Sequence, residues 1–473
     1  MFATLITEFF TGVNERMALM VSISGIRGVV GEDITPEVIV KYASAFAEYC
    51  RLGKIVIGRD GRSTGKTIAN LTSSTLLSMG SDVVALGIAP TPTIAIAVAQ
   101  LHAAGGISIT ASHNPMQWNG LKFFGSTGVF LNGDENREFW QLAEAGNRRY
   151  KSWDNLGSYL LDDSFIRQHI DMVLNLPYLN RESIRRRRFK VVVDCINASG
   201  GLIVPSLLRE LGCEVIELNC EVSGVFTRTP EPVPENMGEL SALVVAERAD
   251  FGIAVDPDAD RLVFITERGE PFGEEYTIAS AVKFVLEHDR ARKPDASASV
   301  VVNLSTTRAV DDIAQQYRAR VFRTPVGEIN VVQKMRELGA VIGGEGSGGV
   351  ILPAMHYGRD AVVGIGLILQ ALAEFGGSLS AFRAALPSYE IRKSKIKLPE
   401  RGTERIFASL MQHYGTNGNI DTRDGMKISF TDSWVHLRTS NTEPILRIIA
   451  EAPSADRAEK LVREFQNEIL SMQ

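Results

Sequence analysis

The chain has 473 residues, 45% of them hydrophobic and 22% charged, with a formal net charge of −6. That length exceeds what one core organises, so several domains are expected. The acidic balance excludes nucleic acid as the main partner, and no apolar run reaches the roughly 18 residues that cross a bilayer.

Residues 1–19 are mildly apolar, carry Glu8 and Glu15, and have no basic leader. They read as an N-terminal extension and not as a signal peptide, with Met17 or Met20 as alternative starts. From Met20 onward, short β-branched runs recur in sets of three. The first set starts at Lys54, Asp82 and Gly106, the second at Lys190, Cys213 and Phe251, the third at Ser299, Arg320 and Ala340. Helical patterns lie between them, such as Ile68 to Met79, Ile203 to Leu211 and Val310 to Tyr317. Apolar strands alternating with helices predict parallel or mixed sheets covered on both faces. The reading is three related α/β domains, 20–186, 187–275 and 276–388, each about the size of one domain. The tail, 389–473, has charged strand-like runs, a strand from Ile445 and a closing helix from Ser454 to Leu470. It predicts a small α+β domain.

The third strand of each set runs into a polar loop: Thr110 to Pro115, Asp256 to Arg261 and Gly344 to Gly349. Ligands of open α/β sheets bind beyond the carboxyl ends of strands, so these loops are expected to face one central cleft. In the first loop, Pro115 keeps Asn114 extended, so Ser112 sits on a loop. The bland alternative is a hydrogen-bonded turn. A Ser–His dyad is disfavoured because adjacent residues rarely aim at each other, and there is no Gly-x-Ser-x-Gly elbow. A serine that carries phosphate needs only exposure, donors and a cation.

Asp256, Asp258 and Asp260 alternate, so in an extended loop their carboxylates point together and offer hard oxygens to Mg²⁺. The spacing mimics an EF-hand, with Glu267 at its twelfth position, but Arg261 stands where that loop needs glycine. A solvated acidic turn is the other alternative; three clustered carboxylates repel one another unless a cation is present. In the third loop Glu345 suits sugar hydroxyls and repels phosphate. Arg438 and the following Thr-Ser-Asn-Thr-Glu-Pro, with Arg447 beyond, offer a guanidinium and hydroxyls for a phosphate monoester. Arg27 lies between glycines where an anion could sit, and Lys122 could move a proton if its pKa is lowered; a plain surface lysine is the alternative. Cys50, Cys195, Cys213 and Cys220 form no Cys-x-x-Cys pair and read as free, mostly buried thiols of a reducing cytoplasm.

Six motifs occur in a familiar order: Ser24-Gly-Ile-Arg-Gly, Gly58-Arg-Asp, Thr110-Ala-Ser-His-Asn-Pro, Asp256-Pro-Asp-Ala-Asp-Arg, Gly344-Glu-Gly-Ser-Gly and Arg438-Thr-Ser-Asn-Thr-Glu-Pro. From about residue 20 to its end the chain resembles the α-D-phosphohexomutase family. The resemblance implies a phosphohexomutase that interconverts hexose 6-phosphate and hexose 1-phosphate through a phosphoserine and a 1,6-bisphosphate. It implies Ser112 as the phosphoserine, and Asp256, Asp258 and Asp260 as ligands, with a phosphoserine oxygen, of one Mg²⁺ per chain. Arg27, His113, Lys122 and Arg261 would surround the transferred phosphate, with Lys122 as general acid/base. Glu345 and Ser347 would bind sugar hydroxyls; Arg438, Ser440, Asn441, Thr442 and Arg447 would hold the phosphate that does not react. A hexose 1,6-bisphosphate would be the activator, and small sugar phosphates the only partners of a cytoplasmic monomer or homodimer.

The sugar is read from departures. Gly349 stands where many members have histidine, Glu328 follows Thr324-Pro-Val-Gly, and the stretch to Asp360 looks most like archaeal-type phosphoglucosamine mutases. Glucosamine phosphate is therefore favoured over mannose or glucose phosphate. The rivals outside the mutases are a phosphatase using the same serine and a non-catalytic sugar-phosphate sensor.

Overall fold

The computed structural model describes residues 19–292, 297–398, 402–415, 419–439 and 445–472. Four sheets follow one another along the chain. Ile55–Arg59 pairs in parallel with Val83–Ile88 on one side and Gly105–Ile109 on the other. Lys190–Asp194 does the same with Glu214–Leu218 and Phe251–Val255. Ser299–Asn303 repeats the arrangement with Arg320–Thr324 and Ile342–Glu345. The threefold pattern of apolar runs is thus a threefold repeat of one topology.

Each of these sheets is mixed. The third strand turns straight back into an antiparallel fourth: Trp118–Gly125, Leu262–Thr266 and Gly349–Ile351. This returning strand explains the position of the polar loops, because each is the short connection across that turn. The first sheet also gains the hairpin Met20–Ser22 and Gly25–Val29 at one edge and Tyr159–Leu161 at the other. The last sheet is antiparallel throughout, from Glu390–Lys397 to Asn419–Asp421, and is crossed by the helix Ala455–Ser471. The Ser454 side chain accepts from Arg457 N and starts that helix.

The helix Ala361–Phe375 lies between the second and third sheets. Asp360 caps its N-terminus through Val362 N and Val363 N, and Gly376, at φ 77°, ends it. It is buried on nearly every face. Its Leu367 and Ile368 share one apolar cluster with Val191 and Phe251 of the second sheet and Val300 and Ile342 of the third. Each such side chain is worth about 1.5–3 kcal/mol on burial, so this shared core holds the two domains as one block. The first and last sheets have cores of their own.

Polar side chains tie the first domain to that block. Asp360 Oδ2 lies 2.9 Å from both His169 Nε2 and His356 Nε2. His169 Nδ1 reaches Thr93 Oγ1, also at 2.9 Å, on the helix Thr91–Gln100. All four cysteines are free, and Cys220 alone is not fully buried. Among the described residues no helix is long and apolar enough to cross a membrane.

Candidate active site

Ser112 has φ 48°, the left-handed region that is costly for a residue with a Cβ. A fully buried arginine holds it there. Arg62 Nη2 donates to Ser112 O (2.6 Å) and Asn114 O (2.7 Å), and Nη1 donates to Pro115 O (2.6 Å) and Trp118 O (3.0 Å). Arg62 Nε is fixed by Asp60 Oδ2 at 3.0 Å, and the same oxygen accepts from Thr110 Oγ1. One guanidinium therefore satisfies four carbonyls of the serine loop, which no other side chain has the donors to do. The motif Gly58-Arg-Asp pointed at this region, but Arg62 itself was not singled out from the sequence.

Ser112 Oγ donates to Asp256 Oδ2 at 3.0 Å, so the first and second loops meet. His113 Nδ1 is 3.4 Å from the same hydroxyl, a long contact for adjacent residues. The three aspartates are buried, and one carboxylate oxygen from each lies within 4.8 Å of those of the other two. Their convergence does not come from an extended loop, as the alternation suggested. It comes from a tight turn: Ala259 N donates to Asp256 O, Ala259 has φ 51°, and Asp256 Oδ1 accepts from the amides of Asp260 and Arg261. Asp258 Oδ2 accepts from Thr91 Oγ1 (2.7 Å) and Lys122 Nζ (2.6 Å), and Asp260 Oδ2 from Arg359 Nη2 (2.6 Å).

Asp258 Oδ1 and Asp260 Oδ1 are buried without a hydrogen-bond partner among the described residues. Burial, then the charges of Asp260 and Asp258, push the Asp256 carboxyl well above the usual range. Orphaned hard oxygens and mutual repulsion are both relieved by a divalent cation. The donor set fits one such ion.

Cations ring the serine. Arg27, on the strand Gly25–Val29, donates from Nη1 to Asn114 Oδ1 at 3.0 Å. Arg261 Nη1 donates to Glu231 Oε1 at 3.1 Å. The Nε atoms of both arginines are buried and, among the described residues, find no acceptor, as expected of donors that await an anion. Arg261, burial and Arg27 hold the His113 imidazole well below its usual range, against Asp260, so the ring is neutral at pH 7. Two opposing effects act on Lys122. Burial opposes its charge, but Asp258 and Asp260 outweigh burial and raise it above its ordinary value. Its ammonium is therefore held charged when the carboxylates carry no other counter-ion.

Glu345 ends the strand Ile342–Glu345 with its carboxylate buried. Its Oε1 accepts from Asn303 Nδ2 (2.9 Å) and Gly327 N (3.0 Å), and its Oε2 from Arg359 Nη1 (2.7 Å). One lone-pair direction on Oε2 stays open. Ser347 is half-buried on the following turn, and Gly348 N–C geometry, at φ 86°, demands a glycine. The glutamate and aspartate loops touch: Leu262 N donates to Gly348 O at 3.0 Å.

The fourth domain joins through the segment after Thr324. Val326 N donates to Asp424 Oδ2 at 2.8 Å. Arg438 Nε lies 3.0 Å from that same oxygen, close enough to pair in charge, although its N–H is not aimed along the contact. Arg438 and the exposed Arg447 are cross-strand partners. Like charges on directly opposed strand positions disfavour each other, which suits a site for an anion. Ser440, Asn441 and Thr442 lie outside the described residues.

The sequence matches, in order, the descriptions "Phosphoglucomutase/phosphomannomutase, alpha/beta/alpha domain I" over residues 20–149, domain II over 167–269, domain III over 273–389, and the "C-terminal domain" over 394–468. The chain belongs to the α-D-phosphohexomutase family. This phosphohexomutase is 36% identical to the probable phosphoglucosamine mutase of Methanopyrus kandleri, over 93% of its own length and 96% of the relative's. It is 38% identical to a phosphoglucomutase/phosphomannomutase of Thermococcus kodakarensis, covering 92% of this chain and 94% of the other. Among solved structures, a phosphoglucomutase/phosphomannomutase family protein of Burkholderia thailandensis superposes with a TM-score of 0.79 at 25% identity, covering 96% and 98% of the two chains.

Two predictions follow from the loops. Arg62→Lys replaces a fork by a single ammonium that cannot reach four carbonyls. Turnover should fall about 100-fold with little change in KM, as expected where a reacting loop is displaced without loss of binding contacts; steady-state kinetics at saturating substrate check it. The second concerns Glu275, buried under the sugar loop, whose Oε2 accepts from Thr307 N and would overlap any Cβ on Gly346. Burial raises its carboxyl to about 8. The folded state thus binds a proton that the unfolded state has released above its ordinary carboxylate pKa, so this group's contribution makes stability fall as pH rises towards 8. Glu275→Gln should flatten the decline in Tm between pH 5 and 9.

Proposed function

We propose that the enzyme is a Mg²⁺-dependent phosphoglucosamine mutase in which Ser112 carries the phosphoryl group. The observation that supports this most directly is the meeting of the Ser112 hydroxyl with Asp256 inside a ring of Arg27, Arg261, Lys122 and His113. A hydroxyl held by a metal-type carboxylate, amid cations with unused donors, suits phosphoryl transfer better than hydrolysis by a Ser–His pair. Asp256, Asp258 and Asp260 would hold the Mg²⁺ together with an oxygen of the phosphoserine. When bound, the ion neutralises charge on the phosphoryl group.

The residues then act as follows. Arg27 and Arg261 bind and orient the phosphoryl oxygens. A free hydroxyl of a hexose 1- or 6-phosphate attacks phosphorus, the bond to Ser112 Oγ breaks, and one proton passes from the sugar hydroxyl to Oγ. Lys122 is the favoured acid/base for that proton, with neutral His113 next to Oγ as the other group at hand. The resulting hexose 1,6-bisphosphate turns over in the cleft and returns its other phosphate to Ser112; the same compound supplied from outside would act as activator. Arg438 and Arg447, with Ser440, Asn441 and Thr442, hold the phosphate that is not reacting. Glu345 accepts from sugar hydroxyls or an amine, and Ser347 contacts the ring.

Glucosamine phosphate is favoured because the relatives named for it cover nearly the whole chain. The similarity to a phosphoglucomutase/phosphomannomutase of equal coverage keeps mannose and glucose phosphates as the second reading. The acidic chain without a membrane-crossing helix among its described residues suits a cytoplasmic enzyme of sugar phosphates, as monomer or homodimer.

A coupled assay with Mg²⁺ and a trace of hexose 1,6-bisphosphate tests the reading, comparing glucosamine, mannose and glucose phosphates by kcat/KM. Ser112→Ala should lower turnover by about 10⁴-fold or more while sugar-phosphate binding, read by calorimetry, stays within a few fold. Wild-type-like turnover in that variant would sink the phosphoserine mechanism, and stoichiometric release of inorganic phosphate by the wild type would make the enzyme a phosphatase.

A further inference from the structure

We propose that Arg359 is a positioning residue that sets the spacing between the metal loop and the sugar loop, and thereby the choice of sugar. The proposal rests on the reading of Glu345 as the carboxylate that meets the sugar. Arg359 lies just before the helix Ala361–Phe375, with its side chain 11% exposed. Its guanidinium serves three carboxylates from three places in the chain. Nη2 donates to Asp260 Oδ2 (2.6 Å), Nη1 to Glu345 Oε2 (2.7 Å) and Nε to Glu328 Oε2 (3.0 Å). The Arg359 backbone N–H also donates to Glu328 Oε1 at 3.1 Å. A planar fork cannot satisfy these acceptors without fixing their mutual distances.

What the fork leaves free is as informative as what it binds. On Asp260 it occupies Oδ2 and leaves Oδ1 buried without a partner among the described residues. On Glu345 it takes one position of Oε2, while Oε1 is filled by Asn303 and Gly327. An acceptor position therefore remains on each carboxylate, and a single guanidinium orients both.

The surroundings are built for that arginine. A Cβ on Gly349 would overlap Arg359 Cδ, so the glycine makes the room. The next residue, Asp360, is anchored as helix cap and by His169 and His356, so the backbone at Arg359 has little freedom. Glu328 follows the segment whose Val326 N binds Asp424, beside Arg438. The spacing set at Arg359 is thereby carried to the phosphate clamp.

The test uses the full-length enzyme with Arg359→Lys and Glu328→Gln. Kinetics on glucosamine, mannose and glucose phosphates are combined with calorimetric titration of Mg²⁺ in the absence of substrate, and with Tm. A lysine reaches one carboxylate at a time. The expected result for Arg359→Lys is a KM for the preferred sugar phosphate raised about 10-fold, a preference over the next sugar reduced by a similar factor, and a several-fold change in Mg²⁺ affinity. Glu328→Gln should move the same three quantities the same way, by less. A variant that loses only Tm, with sugar preference and Mg²⁺ affinity unchanged, overturns the proposal. Where Arg359→Lys does not fold, Glu328→Gln decides by the same criterion. A wild type inactive on all three sugars would refute the substrate reading alone, since the Mg²⁺ titration of the variants still decides the role of Arg359.

Discussion

Three aspartates buried within 4.8 Å of one another, with a serine hydroxyl donated to one of them, are the constraint on which the site depends. Such a group is stable only if positive charge comes to it. Within the protein that charge comes from Lys122, on the strand after the serine loop, and Arg359, on the far side of the sugar loop. The same repulsion that suits the cluster to a cation therefore draws the first and third domains onto the second. Affinity for a cation and assembly of the cleft share one origin.

The repeated topology makes this possible. In each of the first three domains the third strand turns directly into an antiparallel neighbour, so the loop between them is short and projects beyond the sheet. Short loops on rigid strands hold side chains more precisely than long ones. The second and third domains share a core, which fixes their two loops in mutual register, and Leu262 N on Gly348 O closes the contact. The first domain is added through polar links, Thr91 on Asp258 and His169 on Asp360, and through apolar contacts such as Val129 against Ile329 and Val332. The fourth is attached through Asp424 and through Glu451, which accepts from the amide of Arg308.

Much of this was legible beforehand because the signals were local. β-branched runs, the turn residues after each third strand and the helix from Ala455 all follow from neighbours a few positions away. The short strand Gly349–Ile351 could not be read in the same way, since three residues carry too little pattern. Arg62 and Arg359 escaped notice because an arginine's role depends on which acceptors surround it, and the serine-loop carbonyls lie 50 or more positions from Arg62, as Asp260 lies 99 from Arg359. The charge state of Lys122 could not be weighed for a related reason. Which carboxylates face it is decided across domains.

By itself the sequence determined the reaction class. A serine loop, an Asp-x-Asp-x-Asp turn, a glutamate loop and an arginine-led clamp are each written in contiguous residues, and their order along a threefold α/β repeat placed the chain among the phosphohexomutases. Only the tertiary structure decided how those parts act together: that the aspartates converge through a left-handed turn at Ala259, that one buried guanidinium organises the serine loop, and that another spans the metal and sugar loops. Backbone preference and composition act between neighbours, whereas charge compensation in a buried cleft acts between residues that only folding brings together.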